Sequence, residues 1–184
     1  MELKEAIELR RSIRHYNDKD LSKNIIEDLL DCARMAPSAI NRQPWFFVVV
    51  KGKLKDKISD MMLEWCRLKN NYNIDYLSSV EYTANVIKEA NTLILVFQND
   101  DLSDYKDFDN LSIGASIENI LLRATDLGLG SLWIGHICNI KNEIEKMFNY
   151  NNLMLNSAIA LGYTDVNPKM RPRKDLKDIM TYLD

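Results

Sequence analysis

A mixed β-sheet with helices packed against it is the fold class this sequence predicts, and three observations point there. Two short runs, FFVVV (Phe46 to Val50) and TLILVFQ (Thr92 to Gln98), are continuously apolar between polar flanks, as strands covered on both faces are. The segments around them carry apolar residues at intervals of three and four, the spacing of one helical face. Neither an internal repeat nor a flexible linker interrupts this alternation, so the 184 residues are expected to form a single domain over 1–184, long enough to bury its own core.

Taken in order, Leu3, Ala6, Ile7 and Arg10 predict a first helix over about Glu2 to Arg11 that delivers arginines at its C-terminus, where cations suit the helix dipole. After the turn residues NDKD, Ser22 is the candidate N-cap of a second helix with the stripe Ile25, Ile26, Leu29, Leu30 and Ala33, which Pro37 ends. Ala36 to Trp45 has two prolines and no periodicity, and reads as an ordered loop feeding the buried strand FFVVV. Leu54, Ile58, Met61, Met62 and Trp65 mark a third helix over Leu54 to Leu68; the polar, aromatic stretch from Lys69 to Tyr82 shows no clear pattern. TLILVFQ then reads as the central strand. Asp109 is the expected cap of a long helix with Ile113, Ile117, Ile120, Leu121, Ala124 and Leu127 inward and Gly128 just past its end. A short strand SLWIG, a helix capped by Asn139 with Ile144, Met147 and Phe148 inward, and a strand from Leu153 to Leu161 complete the pattern. Beyond Gly162 the tail is basic and punctuated by proline.

Composition narrows the function. A net charge of −3 and a pI near 5.5 argue against a nucleic-acid-binding module, even though RRSIR and KMRPRK could act as phosphate clamps. No apolar run reaches the ~20 residues of a membrane span, and MELKEAIELRR lacks the apolar core of a secretion signal, so a cytoplasmic location is expected. Cys32, Cys66 and Cys138 are far apart among apolar neighbours, which predicts buried structural thiols and no metal site. His15 and His136 are the only histidines and neither has an evident nucleophile partner. No phosphate-binding glycine loop occurs. Such a shortage of acid, base and nucleophile points to a cofactor as the reactive group.

Two basic clusters are left for that cofactor. Arg10, Arg11 and Arg14 with Ser12 offer guanidinium forks and a hydroxyl, suited to a phosphate and the polar edge of a heterocycle; Lys169 to Lys174 concentrate charge again near the other end, stiffened by Pro168 and Pro172. A dianionic phosphate shared between them gains several charge-assisted hydrogen bonds of ~1.5–3 kcal/mol each.

RRSIR, PSAINRQPW, GASIENILLRATDLGLGSLWIG and ALGYTDVNPKMRPRK, in this order over nearly the whole chain, resemble the nitroreductase family of FMN-dependent oxidoreductases. The resemblance implies an α+β fold, a nitroreductase-like mixed central sheet packed by helices, in an intertwined homodimer with FMN at the subunit interface. It also implies that Arg10, Arg11 and Ser12 meet the FMN phosphate and ribityl chain, joined by Arg173 and Lys174. Arg14 lies by the pyrimidine end of the flavin, where a cation steadies charge at N1 and O2 on reduction. Pro37, Ser38, Ala39 and Asn41, supported by Gln43, reach the flavin from the partner, while Gly135 offers a backbone N–H toward N5 with Ile134 against the ring. No side chain is expected as catalytic acid: hydride passes from NAD(P)H through N5 to an electron-poor acceptor such as a nitroaromatic or quinone, by a ping-pong mechanism. A non-catalytic FMN-binding protein for storage or redox sensing uses the same residues. His136 departs from the small residue expected at its position. The stretches Lys69 to Tyr82 and Asp101 to Asn110 are expected to form the lid and substrate pocket.

Overall fold

The computed structural model describes residues 1–69, 71–99, 105–150 and 152–183. Four strands, β1 (Trp45–Val50), β2 (Thr92–Asn99), β3 (Leu129–Ile134) and β4 (Leu153–Tyr163), form one sheet in the order β1-β2-β4-β3. Every neighbouring pair of these strands is antiparallel, and the parallel contribution is an isolated bridge between Ser12 and Ser131. The mixed sheet is therefore a helix-covered antiparallel sheet with one parallel graft, which is an α+β arrangement.

Helices cover both faces. β2 sends Leu93, Leu95 and Phe97 to one side, where Ile58 and Met62 of α3 (Gly52–Leu68) and Val80, Ala84 and Ile87 of α4 (Ile74–Glu89) meet them. Ile94 and Val96 point the other way, against Ile26, Leu29 and Ala33 of α2 (Lys23–Arg34) and the stripe Ile113, Ile117, Ile120, Leu121 and Ala124 of α5 (Lys106–Asp126). Burial on two faces is why TLILVFQ is apolar at every step while its side chains alternate. Each such side chain contributes ~1.5–3 kcal/mol on leaving water. FFVVV looks alike in sequence but lies at the sheet edge, and Phe46 and Val49 are 44% and 39% exposed. The expectation of a buried strand there fails because periodicity reports covered faces and says nothing about which strand has a second neighbour.

Other boundaries move for local reasons. The first helix, α1 (Leu3–Leu9), stops before the arginines: Arg10 is its C-cap and the chain turns extended to reach Ser131. Ser22 caps α2 as expected, accepting from the Ile25 N–H at 3.4 Å. Asp109 does not cap α5. That helix begins at Lys106, one turn earlier, so the Asp109 carboxylate faces inward, fully buried. Asn139 does not cap α6 (Lys141–Phe148) either, because a 3-10 turn over His136–Ile140 precedes it and the Asn139 side chain accepts from the Tyr76 hydroxyl at 3.1 Å. The unpatterned stretch after Lys69 contains α4, capped by Asn73, whose side chain accepts from the Tyr76 N–H. Of the expected lid at 101–110, residues 101–104 lie outside the described residues and the rest opens α5. The tail from Thr164 is extended apart from one 3-10 turn over Leu176–Asp178, with Leu176, Ile179, Tyr182 and Leu183 all exposed.

Candidate functional site

The site begins with two glycines. Gly130 and Gly162 face each other across β3 and β4, leaving the sheet without side chains where the segment Arg10 to Tyr16 crosses it. A Cβ on Gly130 would stand 2.7 Å from Ile13 Cγ2, and one on Gly162 would overlap Asn91 Oδ1 and sit 2.8 Å from Tyr16 Cδ1. Glycine is required here for room. The segment is then fastened. The Ile13 N–H donates to Ser131 O at 2.9 Å, the Tyr16 hydroxyl to Ile13 O at 3.0 Å, and the Asn17 N–H to Tyr163 O at 2.9 Å. Burial pushes the Tyr16 phenol well above its ordinary range, so it stays a neutral hydrogen-bonding group.

The tail returns to the same place. Leaving β4, Thr164 donates its hydroxyl proton to His15 O at 2.8 Å, which sets the following residues beside the arginine segment. Arg10, Arg11, Ser12, Arg14, Pro168, Lys169, Arg171 and Arg173 together line one cavity of about 210 Å³. Basic clusters from opposite ends of the chain thus converge, and Lys169 and Arg171 of the second cluster line the cavity beside Arg173, the member assigned to the phosphate. Lys174 lies outside the lining and is exposed. Within the cavity Arg10 Nε stands 3.4 Å from Glu118, and Arg14 donates to Ser12 O at 3.0 Å. Arg11 donates to Glu8 O at 2.6 Å and Arg10 O at 2.9 Å, yet its Nε is buried without a partner. Burial raises the Glu118 carboxyl above the usual carboxylate range, against the pull of Arg10. Among the described residues Lys169, Arg171 and Arg173 have no ion-pair partner. Five arginines and a lysine facing one carboxylate are an unbalanced set that fits a bound dianion, and the orphaned Arg11 Nε–H fits an acceptor oxygen.

Arg14 also borders a second cavity, of about 250 Å³, lined by Ser79, Tyr82, Thr83, Leu132, Trp133, Ile134, Gly135 and His136. Its walls combine Tyr82, Trp133, Leu132 and Ile134 with the polar groups of Arg14, Ser79, Thr83 and His136, suited to a heterocycle or aromatic ligand with polar edges. Ile134 and Gly135 therefore sit with Arg14. A Cβ on Gly135 would meet nothing within 4 Å, so the backbone there is open to a ligand. His136 Nδ1 lies 3.0 Å from Thr83 Oγ1, the Tyr76 ring packs across the imidazole at 5.4 Å and 88°, and burial lowers the His136 pKa below its ordinary value. Ser79 and Tyr82 fall in the stretch Lys69 to Tyr82 expected at the pocket, with Thr83 just beyond it; sequence reading named none of them individually and missed their helix, although Asn73 as a cap and the three-four-three spacing of Leu77, Val80, Ala84 and Ile87 carry its signal.

The loop residues stand apart. Pro37, Ser38 and Ala39 line a shallow groove with Phe108, Leu111, Ser112 and Ala115, and with Asn41 they belong to neither cavity above. Ile40, Asn41 and Gln43 hold positive φ of 46°, 58° and 49°, a backbone that L residues adopt at a cost of ~1–2 kcal/mol each. Ser38 Oγ accepting from the Gln43 N–H at 3.0 Å holds the turn. Arg42 grips Asp109 through two hydrogen bonds of 3.0 and 2.9 Å and lies over the Tyr105 ring. The carboxylate holds the Arg42 guanidinium above its ordinary pKa. Burial raises the thiols of Cys32, Cys66 and Cys138, which leaves them unreactive at neutral pH. Cys138 is nonetheless exposed and Cys32 and Cys66 are only half-buried, contrary to the expectation of three buried thiols.

Comparison with known proteins shows the family and the fold. The model described as Nitroreductase family matches residues 7–163. A "Putative NADH dehydrogenase/NAD(P)H nitroreductase" of Methanothermobacter thermautotrophicus is 30% identical over 175 residues, 93% of this chain and 82% of the relative. A protein of the same name from Archaeoglobus fulgidus is 33% identical over 158 residues, 84% and 80% of the two chains. Among solved structures, a "putative nitroreductase in complex with fmn" from Desulfovibrio desulfuricans superposes with a TM-score of 0.82 at 26% identity, covering 99% of this chain and 96% of its own.

Proposed function

The chain belongs to the nitroreductase family, and from that premise we propose that it is an FMN-dependent NAD(P)H oxidoreductase of the cytoplasm, one FMN-binding unit over 1–184 that works as a homodimer. The observation that carries this reading is the shared position of Arg14. It joins a cationic cavity built from both ends of the chain to one that mixes aromatic and apolar walls with polar groups, an arrangement suited to a phosphate on a heterocycle. Arg10, Arg11, Ser12 and Arg173 hold the FMN phosphate and ribityl chain, with Lys174 at their margin. Arg14 faces the pyrimidine end, and Ile134 and Gly135 face the ring. The chemistry FMN supplies when bound is acceptance of a hydride at N5 from NAD(P)H and its delivery, in a second half-reaction, to an electron-poor acceptor such as a nitroaromatic or quinone.

This chain's part is binding, orientation and electrostatics. Arg14, fixed by its bond to Ser12 O, presents a permanent cation where negative charge gathers, and so favours the reduced state without a proton transfer. Pro37, Ser38, Ala39 and Asn41 do not reach these cavities in their own chain; we assign them to the flavin of a second copy. The exposed apolar residues Ile40, Phe108 and Leu111 beside that loop, and Tyr182 and Leu183 at 83% and 91% exposure in the tail, support burial against such a copy.

The purified protein is expected to be yellow, to release FMN identifiable by mass, to elute as a dimer, and to oxidise NADH or NADPH when menadione or a nitroaromatic is added. A colourless preparation that takes up no FMN refutes the reading. FMN bound without turnover would make the protein the non-catalytic flavin carrier.

A further inference from the structure

The hydrogen bonds around His136 fix something that its position alone does not. Thr83 Oγ1 approaches the Ser79 carbonyl oxygen to 2.8 Å. A carbonyl cannot donate, so two oxygens this close require the hydroxyl proton between them. Thr83 has one such proton. Its contact with His136 Nδ1 at 3.0 Å must therefore be closed by a proton on the imidazole. A neutral ring protonated on Nδ1 carries a lone pair on Nε2. Burial disfavours the charged form of the ring. Among the described residues Nε2 has no hydrogen-bond partner, and it is not a buried orphan, so it remains open to a ligand.

We propose that Thr83 locks His136 as the Nδ1–H tautomer, so that bare Nε2 acts at the second cavity as a hydrogen-bond acceptor selecting aromatic ligands that carry an O–H or N–H donor. The choice of aromatic ligand rests on the oxidoreductase reading above; the tautomer does not. His136 is a specificity residue here, and Thr83 is its positioning residue. The Tyr76 ring packs perpendicular to the imidazole.

Nitrogen-15 NMR of imidazole-labelled protein as isolated tests the tautomer directly, because the chain has only two histidines and the signal lost in His136→Gln identifies the one in question. The expected pattern is a protonated Nδ1 and an unprotonated Nε2, shifting to the ordinary Nε2–H form in Thr83→Val. A protonated Nε2 in the unsubstituted protein, or no change in Thr83→Val, overturns the proposal. Ligand selection is read by quenching of tryptophan fluorescence with 4-nitrobenzyl alcohol and with its methyl ether, which lacks the donor. The alcohol is expected to bind about fivefold more tightly, equivalent to about 1 kcal/mol. That preference should vanish in His136→Phe and shrink in Thr83→Val, with the ether unaffected. Equal binding of both probes to the unsubstituted protein, or a preference that survives in His136→Phe, rejects the selection role. Neither readout needs a flavin, so a colourless protein would fail the oxidoreductase reading while leaving the tautomer result to stand alone.

Discussion

Replacing Gly162 by alanine perturbs the contact on which the placement of the arginine segment depends. The added Cβ would overlap Asn91 Oδ1 and lie 2.8 Å from Tyr16 Cδ1. Neither neighbour can give way cheaply. Asn91 accepts from the Tyr163 N–H at 3.2 Å and donates to Asn17 O at 3.0 Å, and Tyr16 is buried with its hydroxyl bonded to Ile13 O. Overpacking costs ~1–3 kcal/mol. Losing one or two of the Asn91 hydrogen bonds adds ~1 kcal/mol each. The expected destabilisation is therefore ~2–5 kcal/mol, a large part of a stability of ~5–15 kcal/mol. It should lower the thermal midpoint by ~4–20 °C and shift the urea midpoint without changing the slope. Because the shoved segment carries Arg10 to Arg14, affinity for FMN should fall as well, read by quenching of flavin fluorescence at a temperature where the variant is folded. Gly135→Ala is the control: its Cβ meets nothing and its backbone is ordinary, so its stability should stay within ~0.5 kcal/mol while its flavin affinity drops. A Gly162→Ala protein destabilised by less than ~1 kcal/mol would refute the argument that the glycine pair exists to make room.

Arg14→Ala is expected to lower the midpoint potential of the bound flavin, measured by spectroelectrochemistry, since the cation favouring the reduced state is gone; an unchanged potential would remove the role assigned to Arg14. Asp109→Asn takes the charge from the bidentate grip on Arg42, and should free the positive-φ turn at 40–43, seen as faster proteolysis in that loop and weaker dimerisation. Resistance equal to the unsubstituted protein would show that Ser38 alone holds the turn. His136 titrates below its unfolded value of about 6.5, so the unfolded chain binds more protons in that interval. Stability is accordingly full above that value and falls as pH drops below it. Thermal midpoints followed from pH 7.5 down to 5.5 should decline less steeply in His136→Gln, and parallel curves would discount this histidine.

What was legible in the sequence was everything that follows from local pattern. TLILVFQ, the stripe of α5 and the Ser22 cap are each specified by residues within one element, and the structure has them as read. The concentration of charge in RRSIR and KMRPRK was likewise visible, because composition shows an excess of cations without their partners. The tertiary structure decided the rest. Asp109 and Asn139 look like caps, and are polar residues at helix starts, but the helices begin elsewhere because the Arg42 guanidinium and the Tyr76 hydroxyl claim their side chains across long stretches of chain. FFVVV could not announce that it lacks an outer neighbour. Nor could any local pattern bring Arg10 beside Arg173. That meeting depends on antiparallel β3 and β4 placing two glycines opposite each other, so that the first residues of the chain can lie where the last strand turns out into the tail.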